Sequence, residues 1–421
     1  MTNVNQSKKI GGEIGEVRAA INLERLNAYL TEKVPSIKAP VEVKQFKFGQ
    51  SNPTYFLTDA RGNRSVLRKK PAGQLLSKTA HQIEREYIVL RAIHKHNTNP
   101  STSPSQRVPV PEPIILCEEN AVIGTPFYIM EFLDGRIFTD VGMLEVPPDD
   151  RRECWLSAVR ALAALSSLEP VAIGLSNFGP STDYFPRQIK SLTAISIAQS
   201  EAVDIESHKP TGKIPQFDDM IQWYRRNLPD ERKTGLRIVH GDYKLDNMVF
   251  HPTENRVIGI LDWELCTLGS PVSPNCRLSI YLRAHLFIFY WLRQLADLAN
   301  MTIPWSIDLS KVPGGDSVTQ FSLLRGFKNT TKDVPIPLED LEREYCHLTN
   351  QPYPIKEMVF VRSWMLFRLA IISQGIAARY ARRQASSEKA FIQGQMFPVI
   401  GGLARAVLED AGESIGTLSK L

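Results

Sequence analysis

Cysteine is scarce and scattered in this chain. Its 421 residues hold five cysteines (Cys117, Cys154, Cys266, Cys276, Cys346), an odd number with no close pair. That excludes a disulfide framework or a paired-cysteine zinc cluster and points to a reducing compartment. Charge of one sign is lacking too. Lys and Arg number 50 against 45 Asp and Glu, a net +5, spread too thinly to argue for nucleic acid as a partner. No apolar run spans a bilayer: the most apolar window, 278–292, is interrupted by Arg283 and His285. The opening MTNVNQSKKIGGEIGE has neither the apolar core of a secretory signal nor the arginine-rich amphipathic character of a transit peptide. No repeat of fixed period occurs. What is present is 43% hydrophobic and 23% charged residues, proportions of a globular chain with a sizeable core. The length suits two or three domains, or one two-lobed domain with extensions.

Hydrophobic spacing divides the chain into a β-rich part and a helical part. Leu23, Leu26, Tyr29 and Leu30 recur at helical intervals and predict a first helix. From Val41 to Arg68 short runs (VEVKQFKF, TYFLTD, SVLRK) alternate with turn residues at 49–53 and 61–63, the pattern of antiparallel strands. A helix over 79–94 follows, with Ile83, Tyr87, Leu90 and Ile93 on one face. The Ser-, Thr- and Pro-rich stretch 97–113 reads as a surface loop, then strands are expected at 114–118 and 127–132. Beyond Gly135 the chain reads as mostly helical, with helices over 149–168, 188–199, 217–227 and 359–382. The β signals in that half are RIVH, NMVF and VIGILDW.

The segment HGDYKLDNMVFHPTENRVIGILDWE, residues 240–264, carries the chemistry. Asp242 follows His240-Gly241, Asn247 comes five residues on, and Asp262 ends the apolar run 257–261. Phosphoryl transfer needs such a set: one carboxylate orients and deprotonates an acceptor hydroxyl, while an amide oxygen and a second carboxylate hold magnesium on the phosphates. Oxygen ligands suit magnesium, which takes only one or two protein carboxylates.

These phrases resemble the catalytic core of the aminoglycoside phosphotransferase family. More narrowly, HGDYKLDN, HPTE and LDWELCTLGSP are similar to the phosphotransferase modules fused to acyl-CoA dehydrogenases. VLRKKP, EREY, FYIMEFLDGR and RLAIISQGIAAR extend the likeness over most of residues 40–395. The resemblance implies an α+β, protein-kinase-like two-lobed fold with a small antiparallel β N-lobe and a large, mainly helical C-lobe. It places the nucleotide-binding β-lobe at 41–133 and the helical catalytic lobe at 134–415; the chain's own residues add a helical extension at 1–40 and a targeting tail at 416–421.

It further implies ATP and Mg2+ as cofactors, with Asp242 as catalytic base and Asn247 and Asp262 as metal ligands. His240 braces the loop. Ser51 and Asn52 fall where the family covers the phosphates. Arg68 takes the place of the phosphate-gripping basic residue, with Lys69 as the alternative, and Glu86, or else Glu84, is its ion-pair partner. Glu131, Phe132 and Leu133 correspond to the hinge at the adenine edge. Trp223, Tyr224, Trp364 and Phe367 read as core. Arg379, Arg382 and Arg383 read as a solvated helix end, with the phosphates of a coenzyme A portion as the alternative. The expected function is phosphoryl transfer to a small-molecule hydroxyl, a hydroxy fatty acid or a CoA thioester such as a hydroxyacyl-CoA. The alternative is an impaired nucleotide- or acyl-binding pseudokinase.

Two features remain. The C-terminal Ser419-Lys420-Leu421 is a peroxisomal address read by an import receptor. In the resembled family LDWELCTLGSP runs directly on to LADLA, whose aspartate, here Asp297, tethers the catalytic loop; in this chain residues 272–294 intervene. That apolar segment begins with Val272, whose codons all start GT, and ends with Gln294, which CAG encodes. It reads as a retained intron, with a genuine inserted helix as the alternative.

Overall fold

The computed structural model describes residues 14–15, 17, 21–46, 52–71, 82–179, 184–229, 236–269, 295–312, 325–384 and 390–416. Ser51, residues 272–294 and Ser419-Lys420-Leu421 lie outside them. The chain divides into two compact units, one of residues 1–178 and 240–266, the other of 179–239 and 267–421.

The first unit is built on a six-stranded antiparallel sheet. Its strands are β1 (Ile14–Gly15), β2 (Glu42–Phe46), β3 (Thr54–Thr58), β4 (Arg64–Lys69), β5 (Pro113–Cys117) and β6 (Phe127–Glu131), in the order β1-β2-β3-β4-β6-β5. The β3–β4 turn is fixed by Asp59, whose Oδ1 accepts from the amides of Arg61 and Asn63, both at 2.8 Å. Gly62 supplies the left-handed residue there, at φ +83°. That turn sets Thr54 opposite Arg68, and across the other edge of β4 Arg68 lies opposite Tyr128.

Helix α1 (Leu23–Lys33) starts where Asn22 Oδ1 accepts from the Arg25 amide at 3.0 Å, an N-cap that satisfies one of the helix's orphan donors. Its Leu26 and Leu30 are fully buried against Tyr55, Leu67, Phe127 and Ile129 of the sheet. Helix α2 (Ile83–Asn97), the small helix α3 (Asn120–Ile123) and helix α4 (Pro148–Ser167) complete the helices of this unit.

In the second unit, α5 (Tyr184–Ser200), α6 (Phe217–Arg226), α7 (Leu295–Met301), α8 (Leu338–Leu348), α9 (Met358–Ala381), α10 (Ala390–Gln395) and α11 (Phe397–Asp410) accompany the strand pair β7 (Arg237–Val239) and β10 (Thr267–Gly269). Its core is aromatic. Tyr224 packs edge-on against Phe360 and Trp364, and its buried hydroxyl meets Ser363 Oγ at 2.7 Å, so that hydroxyl is not stranded. Trp223, Tyr224, Trp364 and Phe367 are all buried core residues. Helix α9 is long and apolar enough to cross a bilayer, but most of its apolar window is buried inside the unit, as in a core helix. Arg379 and Arg383 lie at its C-terminal end, where Arg383 pairs with Asp204 at 3.3 Å and Glu206 at 2.6 Å.

Most expected elements appear within a few residues of their sequence limits. The fifth helix starts one turn earlier than its hydrophobic spacing, at Tyr184, with Pro186 in the first turn, where a missing N–H costs nothing. The second begins at Ile83, and residues 79–81 lie outside the described part.

Candidate active site

All the described chemistry of 240–264 belongs to the first unit. Strand β8 (Met248–Phe250) pairs with β9 (Val257–Ile260) as an antiparallel hairpin. The β9 end is stitched to the preceding loop by the Leu261 amide, which donates to Asn247 O at 2.8 Å. That bond brings Asn247 and the residue after Leu261, Asp262, to the same end of the hairpin.

Gly241 makes the turn before Asp242. It sits at φ +86°, and a Cβ there would come 2.8 Å from Leu265 O, so both conformation and space demand glycine. His240 is fully buried. Its Nδ1 accepts from the Asp242 amide at 3.2 Å, and Nε2 lies 3.0 Å from Leu261 O. A backbone donor on one nitrogen and a backbone acceptor beside the other fit the neutral tautomer with hydrogen on Nε2. The ring also packs against Trp263, centroids 4.6 Å apart. His240 thus ties the Asp242 turn to the Asp262 turn and offers no spare nitrogen for proton transfer.

Asp242 is held from two sides. Asn247 Nδ2 donates to its carbonyl and to its Oδ2, both at 2.9 Å. Lys244 Nζ lies 3.4 Å from the same Oδ2 and 3.3 Å from Asp246 Oδ2. Burial opposes the charge on Lys244, yet Asp242 and Asp246 together raise its pKa; burial likewise raises that of Asp246. Lys244 therefore stays an ammonium at neutral pH. The sequence reading missed it, although its place two residues after Asp242 was a signal.

The second cluster is centred on Arg68. The alternation of β4 puts Arg68 on one face and Lys69 on the other, where burial lowers the Lys69 pKa. Arg68 Nε lies 3.0 Å from Glu86 Oε2 of α2. Its Nη2 lies 2.6 Å from Asp262 Oδ1 and 3.7 Å from Glu264 Oε2. Tyr128 donates to Glu86 Oε2 at 3.0 Å, and Asn52 Nδ2 donates to Glu264 Oε2 at 3.1 Å. The alternative partner, Glu84, is taken by Lys70 at 2.5 Å.

Desolvation pushes the Glu86 carboxyl up to about 7 although Arg68 pulls the other way. For Arg68, burial opposes the charge but Glu86 and Asp262 raise its pKa on balance. Helix α2 is anchored by its neighbour Arg85, whose guanidinium stacks 3.9 Å over the Phe178 ring and donates to Phe178 O at 2.5 Å and Cys266 O at 3.3 Å. The sequence reading did not anticipate Tyr128, Glu264 or Arg85.

Glu131, Phe132 and Leu133 follow β6. The Glu131 amide is committed to Glu112 O at 2.8 Å. Phe132 is fixed edge-on to Phe56 at 4.9 Å and under the Arg64 guanidinium at 4.8 Å. Leu133 faces Gly259, where a Cβ would meet its Cδ1 at 2.1 Å, so any larger residue in strand β9 would displace the end of the Leu133 side chain.

A divalent cation fits the oxygens at the Asp262 end. Asn247 uses its Nδ2 on Asp242, which leaves Oδ1 as its ligand atom, and Asp262 gives Oδ1 to Arg68, which leaves Oδ2. One amide and one carboxylate oxygen with open positions is a magnesium-type donor set.

The sequence profile described as the phosphotransferase enzyme family matches residues 42–273, more than half of the chain. The chain belongs to that family. A solved structure of a putative aminoglycoside phosphotransferase from Ralstonia eutropha JMP134 is 30% identical, covers 93% of this chain and 99% of its own, and superposes with a TM-score of 0.71. At 11% identity and a TM-score of 0.51, the APH(2")-IIa complex with streptomycin and ATP shares the fold alone, over 89% of this chain and 95% of its own. The architecture is thus the α+β, kinase-like fold of the family.

Among curated relatives, the probable acyl-CoA dehydrogenase IBR3 of Arabidopsis thaliana is 34% identical over 84% of this chain and 38% of its own length. Acyl-CoA dehydrogenase family member 11 of Rattus norvegicus is 35% identical over 88% and 41%. This chain therefore spans about two fifths of the curated relatives it matches.

Proposed function

We propose that this phosphotransferase-family protein transfers the γ-phosphoryl group of ATP, with Mg2+, to the hydroxyl of a small molecule. The carrying observation is the Asp242 carboxylate, fixed by Asn247 at 2.9 Å and faced by Lys244 at 3.4 Å. Asp242 accepts the proton of the acceptor hydroxyl as its oxygen attacks the γ-phosphorus. The bond from phosphorus to the bridging oxygen breaks, and the electron pair leaves with ADP. The Lys244 ammonium stands beside Asp242 to offset charge on the incoming phosphoryl oxygens. Arg68, held between Glu86 and Asp262, presents a cation to the nucleotide phosphates; the Asn52 flank and the Glu131–Leu133 connection bound the nucleotide. Asn247 and Asp262 would hold the magnesium, which would supply positive charge to the phosphate oxygens.

The acceptor we propose is a hydroxy fatty acid or hydroxyacyl-CoA. Supporting this are the names of the curated relatives, acyl-CoA dehydrogenases more than twice as long as this chain, and the terminal Ser419-Lys420-Leu421, which we read as a peroxisomal address. Phosphorylation turns a poor hydroxyl leaving group into a good one, which suits later elimination. Incubation with Mg-ATP and a panel of hydroxyacyl-CoAs, read by mass, tests the proposal. A product heavier by one phosphoryl group, lost in Asp242→Asn, is expected. Nucleotide binding without any product across hydroxylated acceptors would instead mark a pseudokinase.

A further inference from the structure

Three consecutive residues of α2 are fixed to three different places in the first unit. Glu84 pairs with Lys70 at 2.5 Å, Glu86 meets Arg68 Nε at 3.0 Å, and Arg85 between them reaches the backbone. The Arg85 guanidinium lies 3.9 Å over the Phe178 ring, and its Nη1 and Nη2 donate to the carbonyls of Phe178 and Cys266. Those two residues, both buried, end the two stretches of chain, 1–178 and 240–266, that make up the unit. Cys266 in turn belongs to the Asp262 turn. Its amide donates to Trp263 O at 3.0 Å, and Trp263 Nε1 donates to Ile260 O at 2.9 Å. A ring is thereby closed. It runs from Arg68 to Glu86, along α2 to Arg85, through Cys266 to Asp262, and from Asp262 back to Arg68 at 2.6 Å.

We propose that Arg85 is a positioning residue for nucleotide binding: it holds α2 against the Asp262 turn, so that Glu86 and Asp262 keep the Arg68 guanidinium between them. The inference rests on the function proposed above, in which Arg68 meets the nucleotide phosphates. Arg68 cannot itself fix the helix to the turn, because both of its contacts end on side-chain carboxylates with bonds free to rotate. Arg85 ends on main-chain carbonyls, which cannot swing away from the turn. Without Arg85, α2 is free to shift and to carry Glu86 with it. Arg68 then follows Glu86 rather than Asp262. The Glu86 side chain is 1% exposed and that of Asp262 29%, so releasing Asp262 to water costs less than leaving Glu86 buried without its cation. Lysine cannot replace Arg85, since one ammonium has no planar fork to span two carbonyls while lying flat on a ring.

The expected signature is dependence on Arg68. Affinity for the non-hydrolysable analogue AMP-PNP with Mg2+ is measured calorimetrically in the full chain carrying Arg85→Met or Arg85→Lys, each alone and each combined with Arg68→Met. Arg85→Lys keeps the charge and the stem, and so supplies a folded variant should Arg85→Met fail to fold. Alone, Arg85→Met should weaken binding by about tenfold, the effect of displacing one charge-assisted contact, and Arg85→Lys by at least about threefold. With Arg68→Met present there is no guanidinium left to misplace, and either change at Arg85 should cost less than about twofold. If Arg68→Met binds too weakly to measure, Arg68→Lys serves as the background with the same expectation, because one ammonium cannot close the ring.

Wild-type affinity in either single variant overturns the inference. So does a loss of the same size with and without the Arg68 guanidinium, which is the mark of Arg85 touching the nucleotide itself or of general damage to the unit. Wild-type protein that binds no Mg-AMP-PNP at all overturns the functional reading, an outcome distinct from the other two.

Discussion

Arg68 Nη2 lies 2.6 Å from Asp262 Oδ1 across 194 positions of sequence, while Nε of the same guanidinium lies 3.0 Å from Glu86. The strand, the helix and the turn after β9 are thus joined by one planar group with donors on two edges. A lysine has one compact ammonium and cannot serve both edges at once. Arg68→Lys should therefore lower unfolding free energy by about 1–3 kcal/mol, the cost of leaving a buried charged group short of a partner. It should also raise the KM for Mg-ATP more than it lowers kcat. Denaturant midpoints and steady-state kinetics check the two halves separately. Wild-type values in both would mean the Arg68 bridge is incidental.

The carboxyl of Glu86 gives a pH dependence of stability with a definite sign. Burial raises its folded-state pKa from the ordinary 4.5 to about 7. Between those values the folded chain holds a proton that the unfolded chain has released. Its contribution is therefore fully present below 4.5 and is lost as pH rises through 7. Glu86→Gln has no proton to release. Relative to wild type, the variant should gain about 1–3 kcal/mol of stability between about pH 4 and about pH 8. Urea unfolding at intervals across that range measures it, and parallel curves would show Glu86 ionised throughout.

Gly241 carries a heavier load than a turn glycine. Alanine at φ +86° is strained, and its Cβ would press on Leu265 O at 2.8 Å. Because the next residue is Asp242, the strain is relieved by moving the carboxylate. Gly241→Ala should cost about 1–3 kcal/mol of stability and depress kcat while leaving Mg-nucleotide binding within about twofold. A kcat equal to wild type would place the catalytic loop's precision elsewhere.

How much of this was legible in the sequence follows from what each signal measures. Period-two alternation in SVLRKK put Arg68 and Lys69 on opposite faces, and the structure has them so, because strand geometry is local. The same holds for α1, read from Leu23, Leu26, Tyr29 and Leu30. Glu264 and Tyr128 were not seen because their importance is a matter of register. Tyr128 reaches Glu86 only because β6 sets it opposite Arg68. Glu264 meets Asn52 across 212 positions. Helix α8 was not anticipated, although Leu341, Tyr345 and Cys346, which it buries, are spaced as on one helix face.

Thiol chemistry tests the interior and the 272–294 segment together. Cys117, Cys154, Cys266 and Cys346 are all buried, and burial pushes the thiols of Cys154 and Cys346 up to about 11. A thiol that high is almost wholly protonated at neutral pH, and the thiolate is the nucleophile. In native protein these four should alkylate far more slowly than a free thiol, and unfolding should release all of them at once. The fifth cysteine, Cys276, lies within 272–294. Protein purified from its own source and denatured should titrate four thiols if that segment is a retained intron absent from the mature chain, as we expect. A count of five there would establish the segment as part of the protein and turn the question to what its apolar residues do in the folded chain.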